Sequence, residues 1–527
     1  MKKLFALLLA LSMVLGLAAC GNSAPAPAAS AAPADAAAPA DAAAPADTAA
    51  PADAEYKDTL VFCNGQDLTT MDGSIGQQER AVYLTNHIFD PLVTFGEEET
   101  IIPCLCESFE WSEDSITLKV VLKQGVKFHD GSDFTADDVK FTMDLLQERG
   151  MTFGGNYDNT EIIDDYNVLI HLNAPNPAFL NTIAMPQCCI LPSDAYDEAT
   201  FGQNPIGTGP YKLKEYKEGD YYTLERFDDY WGEPAKTQYL TMRIVPEPSQ
   251  RAILLETGEV DVAYNLSFND IDRLSGDPNM KVLRCPSLKV INIEFNCQST
   301  GPIGNPKVRQ AVECAMDKET VVNALLSGYG EVSKSLISPL AADYRETYVN
   351  EYNPEKAKEL LAEAGYADGC EMTLFTNSDQ VNGEMATVFQ SQLAAVGIKL
   401  NIVIQDDNTT FAMVENGDDF DMILDFFQCA SKHADYVFVN AYTSDSFNNY
   451  ARFWNDEFDQ TYYKYCSTAE GPEREALLEK LYEMLGSNTP AIGIYTENKI
   501  VVTSAKVDGV KLSTTGAHEY QYATVLK

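Results

Sequence analysis

The sequence predicts an α/β protein of two lobes, the larger carrying an extra β-rich subdomain. Three observations predict it. From about residue 56 the composition is globular to Lys527, roughly 470 residues and more than one core holds. Alternating apolar patterns dominate up to Val245, whereas helical and strand patterns alternate after about residue 290. After Pro490 the chain returns to strands, so its last segment is expected to complete the first lobe. Lobe 1 then spans 57–290 with 490–527, lobe 2 spans 291–489, and two crossings join them.

Each element has a local reason. In Ser115–Lys123 the residues Ile116, Leu118, Val120 and Leu122 fall on one face. Gly125 and Asp130-Gly131 mark turns. A helix is expected from about Ala136, with Val139, Met143 and Leu146 at helical spacing. Tyr211–Phe227 reads as a hairpin turning at Glu218-Gly219-Asp220, and Tyr239–Val245 as a strand stopped by Pro246. Asn305-Pro306 and Asn353-Pro354 each place a cap before a proline at the first helical position. Val308, Ala311, Val312, Ala315 and Met316 make one apolar stripe. A second helix carries Val321, Val322, Leu325 and Leu326. Strand Met372–Thr376, a helix over about 384–396 and strand Ile398–Ile404 form a βαβ unit, which predicts parallel pairing. Strand Phe420–Phe427 and an amphipathic helix over 473–485 follow. Strands Ile492–Tyr495, Lys499–Thr503 and Val507–Leu512 close the chain.

The amino terminus reads as an export signal. Lys2 and Lys3 precede a mostly apolar run from Leu4 to Ala19, ending in small residues before Cys20. The run is shorter than the about 20 residues of a comfortable membrane span. Residues 21–55 are nearly all Ala, Pro, Asp, Ser and Gly, with Ala-Ala-Ala-Pro-Ala-Asp at 36–41 and 42–47. Such a segment cannot build a core and is expected to act as a spacer of at most about 100 Å.

The formal net charge is −42, which excludes a basic face for nucleic acid or anionic lipid. The acidic residues are scattered, as on a solvated surface. Twelve cysteines include Cys20, which leaves an odd number. There is no CxxC, and Cys104/Cys106 and Cys188/Cys189 stand too close for relaxed bridges. Buried free thiols are expected rather than a disulfide framework or metal cluster. GxSxG, HExxH and SxxK are missing beyond the leader and the five histidines are scattered, so hydrolase chemistry has no visible carrier. No catalytic residue, cofactor or metal is expected.

Several blocks occur in an order that resembles a known family. They are Gly125-Val-Lys-Phe-His-Asp-Gly131 with Phe134-Thr-Ala-Asp-Asp-Val-Lys-Phe141, Gly207-Thr-Gly-Pro-Tyr211 with Tyr230-Trp-Gly232, and Gly258-Glu-Val-Asp-Val262. Val308-Arg-Gln-Ala311 and Pro354–Leu361 with Glu363-Ala-Gly-Tyr366 continue the series. The chain is similar to family 5 solute-binding proteins, the oligopeptide/dipeptide/nickel-binding components of ABC importers, from about residue 57 to the end. Leu17-Ala18-Ala19-Cys20 also resembles a lipobox. The resemblance implies a two-lobed periplasmic-binding-protein-like fold (type II, cluster C). It implies a monomer tethered by lipidated Cys20 outside the cytoplasmic membrane, delivering a solute to an ABC permease and ATPase.

It also implies site residues. Asp435 is the nearest equivalent of the carboxylate that meets a peptide amino terminus, although Tyr436 stands where proline is usual. Phe426, Phe427 and Gln428 sit where members line the pocket. Gln66, Thr70 and Met71 follow the opening strand, Tyr264 and Asn265 follow the Gly-Glu-Val-Asp-Val block, and Asn296 ends the crossing strand. For Asn296 a turn or cap role explains the residue equally well. No arginine for a ligand carboxylate appears near 384–396. His129 is expected to be structural. Peptides are the expected solute, with a nickel chelate, haem, opine or sugar as alternatives within the binding class. A secreted hydrolase is the alternative from another class.

Overall fold

The alternation around residue 120 sets the first subdomain. In the computed structural model, which describes residues 55–75, 79–96, 100–150, 157–346, 350–446 and 448–527, strand Thr117–Leu122 buries Leu118, Val120 and Leu122. It is flanked by strands Cys106–Trp111 and Asn167–Leu172, and Tyr157–Asp164 completes a four-stranded antiparallel sheet. Helix Ala136–Glu148 contributes Val139, Met143 and Leu146 to the same core. Asp138 accepts the Thr135 N–H (2.8 Å) and, through its other oxygen, the Ser193 N–H (2.8 Å). One side chain thus caps the helix and fixes a distant loop.

The blocks around His129 and Gly207 meet here. His129 Nε2 lies 3.0 Å from the Gly209 carbonyl, and its Nδ1 accepts the Gly207 N–H at 3.3 Å. Burial pushes the imidazole down to about 4, so it stays neutral and can donate and accept at once. Its expected structural role follows from these two bonds.

The main sheet has eleven strands, one of which, the short Gly330–Val332, pairs with Ala491–Ser504 off the main order. Its centre is a pair of long antiparallel strands, Met280–Phe295 and Ala491–Ser504. Beyond Ala491–Ser504 lie Val262–Tyr264, Thr59–Asn64, Tyr239–Ile244, Tyr221–Arg226 and Tyr211–Lys217 in that order. Beyond Met280–Phe295 lie Met422–Gln428, Cys370–Thr376 and Ile398–Ile404. The central pair shifts register between Pro286 and Val290 and again between Ile291 and Asn292. Such irregularities bend a ladder locally. The cores divide accordingly. Leu60, Leu224, Leu240 and Val501 share one cluster, while Ile291, Val308, Leu374, Leu424 and Ile494 share another. The architecture is two-lobed α/β.

Several expectations hold in detail. Cys370–Thr376 and Ile398–Ile404 are parallel through helix Gln380–Ala395. The Asn305 and Asn353 side chains cap their helices by accepting the Lys307 and Lys356 amides. Other boundaries move. The two expected strands 492–495 and 499–503 are one strand, Ala491–Ser504. The expected strand to Leu512 is broken: Val507–Asp508 pairs with Thr524–Val525, and beyond it only Lys511 pairs, as an isolated bridge to Glu519. Strand Phe420–Phe427 starts later, at Met422, because Asp421 turns its carboxylate onto the Thr373 amide (2.8 Å). The leader, Cys20 and the spacer to residue 54 lie outside the described residues. Among the described residues no helix is long and apolar enough to cross a membrane. All eleven described cysteines are free, eight of them buried.

Candidate functional site

Strand Met422–Gln428 is the element around which a site can be built. On one side it pairs with Phe295–Lys289 along its whole length. On the other side its strand partner is Cys370–Thr376, matched only at Met422 and Ile423. From Leu424 onward that side faces no strand among the described residues. A recess opens there, lined by Thr376, Asn377, Thr410, Phe411, Ile423, Leu424 and Asp425. An unpaired strand edge presents main-chain donors and acceptors that a second extended chain can match.

Successive residues point to opposite faces. Phe426 and Gln428 share one face, and Phe426 is 48% exposed, unusual for a ring on a central strand. Lys289 Nζ sits 4.1 Å from the centroid of that ring and 3.4 Å from Glu497. Lys499 also reaches Glu497, at 3.1 Å. Burial alone would raise the Glu497 carboxyl, but Lys289 and Lys499 outweigh it and hold the group below its ordinary range. Two cations around one carboxylate leave a surplus positive charge beside Phe426. Gln428 donates to the Thr515 carbonyl (3.2 Å), which ties this strand to the carboxy-terminal segment. The loop that follows touches the first subdomain: Lys432 Nζ lies 4.3 Å from the Phe95 ring, and Ala430 and Tyr436 pack on the core of the four-stranded sheet. Phe427 faces the other way and meets Tyr436 at 6.1 Å.

Asp435 sits in the short helix Ala434–Val437 and is only 4% exposed. Its Oδ1 lies 2.9 Å from His433 Nδ1. His433 Nε2 in turn faces Asp343 (3.6 Å), which also holds Arg474 (2.9 Å) and the Tyr465 hydroxyl (2.5 Å). Burial alone would lower the His433 imidazole, but Asp435 and Asp343 overcome it and raise the group. Asp435 is therefore already in contact with the His433 imidazole, whose charged form it favours.

The remaining residues are mostly walls. Tyr264 packs against both Tyr83 (4.5 Å) and His518 (5.6 Å) and shares a hydroxyl hydrogen bond with Tyr520. Asn265 has a positive φ of 50°, and its carbonyl is gripped by Arg251. Met71 is core, with its amide on the Gly202 carbonyl (3.0 Å). Thr70 accepts the Asp72 amide (3.0 Å), while Gln66 is exposed. Asn296 donates to Asp419 and to the Phe420 carbonyl, both at 3.0 Å, and accepts the Gln298 amide. Its bonds are those of a turn. Phe426 and Gln428 thus share one face of strand Met422–Gln428 and Phe427 lies on the other, while Tyr264, Met71 and Asn296 are held by contacts within the fold.

Sequence reasoning missed the polar residues on the other face of this strand. Asn292 stands opposite Asp425 in the ladder and donates to Glu294 Oε1 (2.9 Å). Glu294 is 6% exposed. Burial, then the Asp425 charge, push its carboxyl up to about 8, against the pull of Tyr442 and Asn292. A signal existed: Asp425 interrupts the apolar run Met422–Phe427, and Asn292 and Glu294 alternate with Ile291, Ile293 and Phe295. Charges inside central strands are rarely neutral choices.

Residues 100–449 match the model of the bacterial extracellular solute-binding proteins, family 5, middle region. The chain is 29% identical over 468 residues to the glutathione-binding protein GsiB of Pectobacterium atrosepticum, covering 85% of this chain and 90% of that protein. Among solved structures it is similar to the ABC transporter-associated periplasmic binding protein DppA from Helicobacter pylori in complex with the peptide STSA. There the TM-score is 0.79 at 25% identity, over 89% of this chain and 98% of that one. It is also similar to the oligopeptide-binding protein AppA from Bacillus subtilis in complex with a nonapeptide, with TM-score 0.78 at 25% identity over 90% and 100%.

Proposed function

Because this chain belongs to the family 5 bacterial extracellular solute-binding proteins, we propose that it captures peptides between its lobes and hands them to an ABC permease with its ATPase. The observation that carries the peptide reading is the open edge of strand Met422–Gln428 beyond Ile423. A peptide laid along it gains main-chain hydrogen bonds whatever its side chains, which suits a varied ligand. The relatives support the same class: GsiB is named for glutathione, and DppA and AppA were solved with peptides.

In this reading the lobes are 57–290 with 490–527, and 291–489. They hinge where the two long central strands lose register, at Pro286–Val290. Closure of such lobes is a recognised mode of ligand capture, driven by contacts made only in the shut state. Phe426 and Gln428 touch the ligand. Asp435 serves the site from behind by holding His433, and takes a peptide amino terminus only if His433 gives way. Cys20, lipidated, tethers the chain to the outer face of the membrane through the Ala/Pro/Asp spacer.

The test is thermal unfolding against a library of short peptides with free and with N-methylated backbones. A native-state ligand must raise the melting temperature. Free-backbone peptides are expected to do so and N-methylated ones to fail. No shift with any peptide, together with a shift for a nickel–histidine chelate or a sugar, overturns the peptide reading.

A further inference from the structure

The recess beside the open edge has a chemistry of its own. Asp425 lines it, and the Glu294 carboxyl stands on the same sheet face, close enough for each to feel the other's charge. Thr376 lines it too. That residue is 2% exposed, and its hydroxyl finds no hydrogen-bond partner among the described residues. A buried hydroxyl left so is costly unless something else meets it. Phe411 lines the outer wall, exposed, with Tyr450 against it at 5.6 Å. The Tyr450 phenol feels both carboxyl groups. Among the described residues no lysine, arginine or histidine lines the recess.

We propose that this recess is a subsite for a positively charged group of the ligand, an alkylammonium or guanidinium, so that the preferred solutes are cationic peptides. The inference rests on the peptide reading and adds the ligand's charge. Each wall has a function in it. Asp425 supplies a charge-assisted acceptor. The Phe411 and Tyr450 rings offer π-faces, to which a guanidinium is attracted. Thr376 borders the recess from the Leu424 face of the sheet, where its Oγ1 can meet a group that passes the strand edge. Glu294, kept neutral while the recess is empty, gains a reason to ionise once a cation is in reach. A ligand carboxylate is repelled by the same field, and there is no arginine here to receive one. The cation surplus at Lys289 and Lys499 lies on the opposite strand face, where the ligand's own carboxylate is accommodated.

The test needs no variant to begin. Isothermal titration compares peptides that differ only in charge: arginine against citrulline, and lysine against acetyl-lysine, at each position in turn. The charged member of at least one pair is expected to bind about tenfold or more tightly, the effect of one charge-assisted contact. Asp425→Asn is expected to bring the charged peptide down to the affinity of its neutral partner. Phe411→Ala, on an exposed wall, is expected to weaken the charged peptide several-fold. Equal affinities within every pair overturn the cation subsite and leave the peptide reading standing. If no peptide binds, agmatine separates the two ideas, since it carries a guanidinium and an amine without a peptide bond. A melting shift with agmatine that Asp425→Asn abolishes supports the recess while the peptide reading falls. No shift with either ends both.

Discussion

Replacing Glu294 by glutamine is expected to stabilise the protein in alkali and to do nothing in acid. The carboxyl is pushed from its ordinary 4.5 up to about 8 by burial and by Asp425. Between those values the folded state holds a proton that the unfolded state has released. Stability then falls as pH rises, by about 1.36 kcal/mol per unit, and is flat below the unfolded value and above the folded one. Over a gap of roughly 3.5 units the loss is at most about 5 kcal/mol, since any water entry on ionisation reduces it. Glutamine keeps the shape and the acceptor for Asn292 but has no proton to lose. At about 2 °C per kcal/mol for a large domain, the variant's advantage should grow by up to about 10 °C between roughly pH 5 and pH 9. Differential scanning fluorimetry of both proteins across that range measures it. Carboxylates out of reach of Glu294 titrate alike in both and cancel in the difference, whereas Asp425 belongs to the same coupled titration. A melting difference that stays constant within about 1 °C across the range refutes the reasoning.

Three further outcomes are expected. Burial raises the thiols of Cys106, Cys188, Cys189, Cys429 and Cys466. Burial also raises Cys297, to about 11, and Cys370, so among the described cysteines alkylation of the native protein near neutral pH should favour the half-buried Cys285, and the others should label mainly in denaturant. Arg309→Met strips donors from the Ile303, Gly304, Asn488 and Thr489 carbonyls, and should cost about 3 kcal/mol in urea unfolding. His433 is raised in the fold, so its contribution is full below its ordinary value and fades as pH rises through the folded one. The melting deficit of His433→Gln should shrink as pH rises above the ordinary imidazole value of 6.5, and a deficit that grows contradicts the ion pair.

The elements legible in the sequence were those fixed by neighbours in the chain. Asn305-Pro306 and Asn353-Pro354 announced helices that begin there. The two-residue period before Val245 and the βαβ pattern around residue 390 gave their strands and the parallel pairing. What stayed hidden depends on distant partners. Glu497-Asn498 looks like a break between strands, yet the strand runs through because Lys289 and Lys499 neutralise Glu497. Asp435 was legible as a carboxylate near the junction, but not its pairing, because His433 and Asp343 come from different loops. The recess is harder still. Thr376, Phe411 and Asp425 lie on three segments, and only the early end of strand Cys370–Thr376 relative to Met422–Gln428 opens the space between them.

The contacts that the segment 428–436 makes with the first subdomain and the carboxy-terminal segment are individually weak, and that bears on how the proposed capture would work. Gln428 makes one hydrogen bond to Thr515, worth about 1 kcal/mol. Lys432 over Phe95 adds about 0.5–2 kcal/mol, toward the upper end because this lysine is only 5% exposed. Tyr436 and Ala430 add apolar contact. Sums of this size leave the shut state close in free energy to the open one, so a ligand needs to supply only a small difference to close it. Lys432→Met tests that balance, because it keeps the apolar stem and removes the charge over the ring. It is expected to weaken every ligand by the same factor, about threefold to tenfold, whatever the ligand's charge, since the loss falls on closure and not on recognition. X-ray scattering of the unliganded variant should then give a larger radius than wild type. A loss of affinity for some peptides and not others would place Lys432 in the binding pocket and refute its part in the latch.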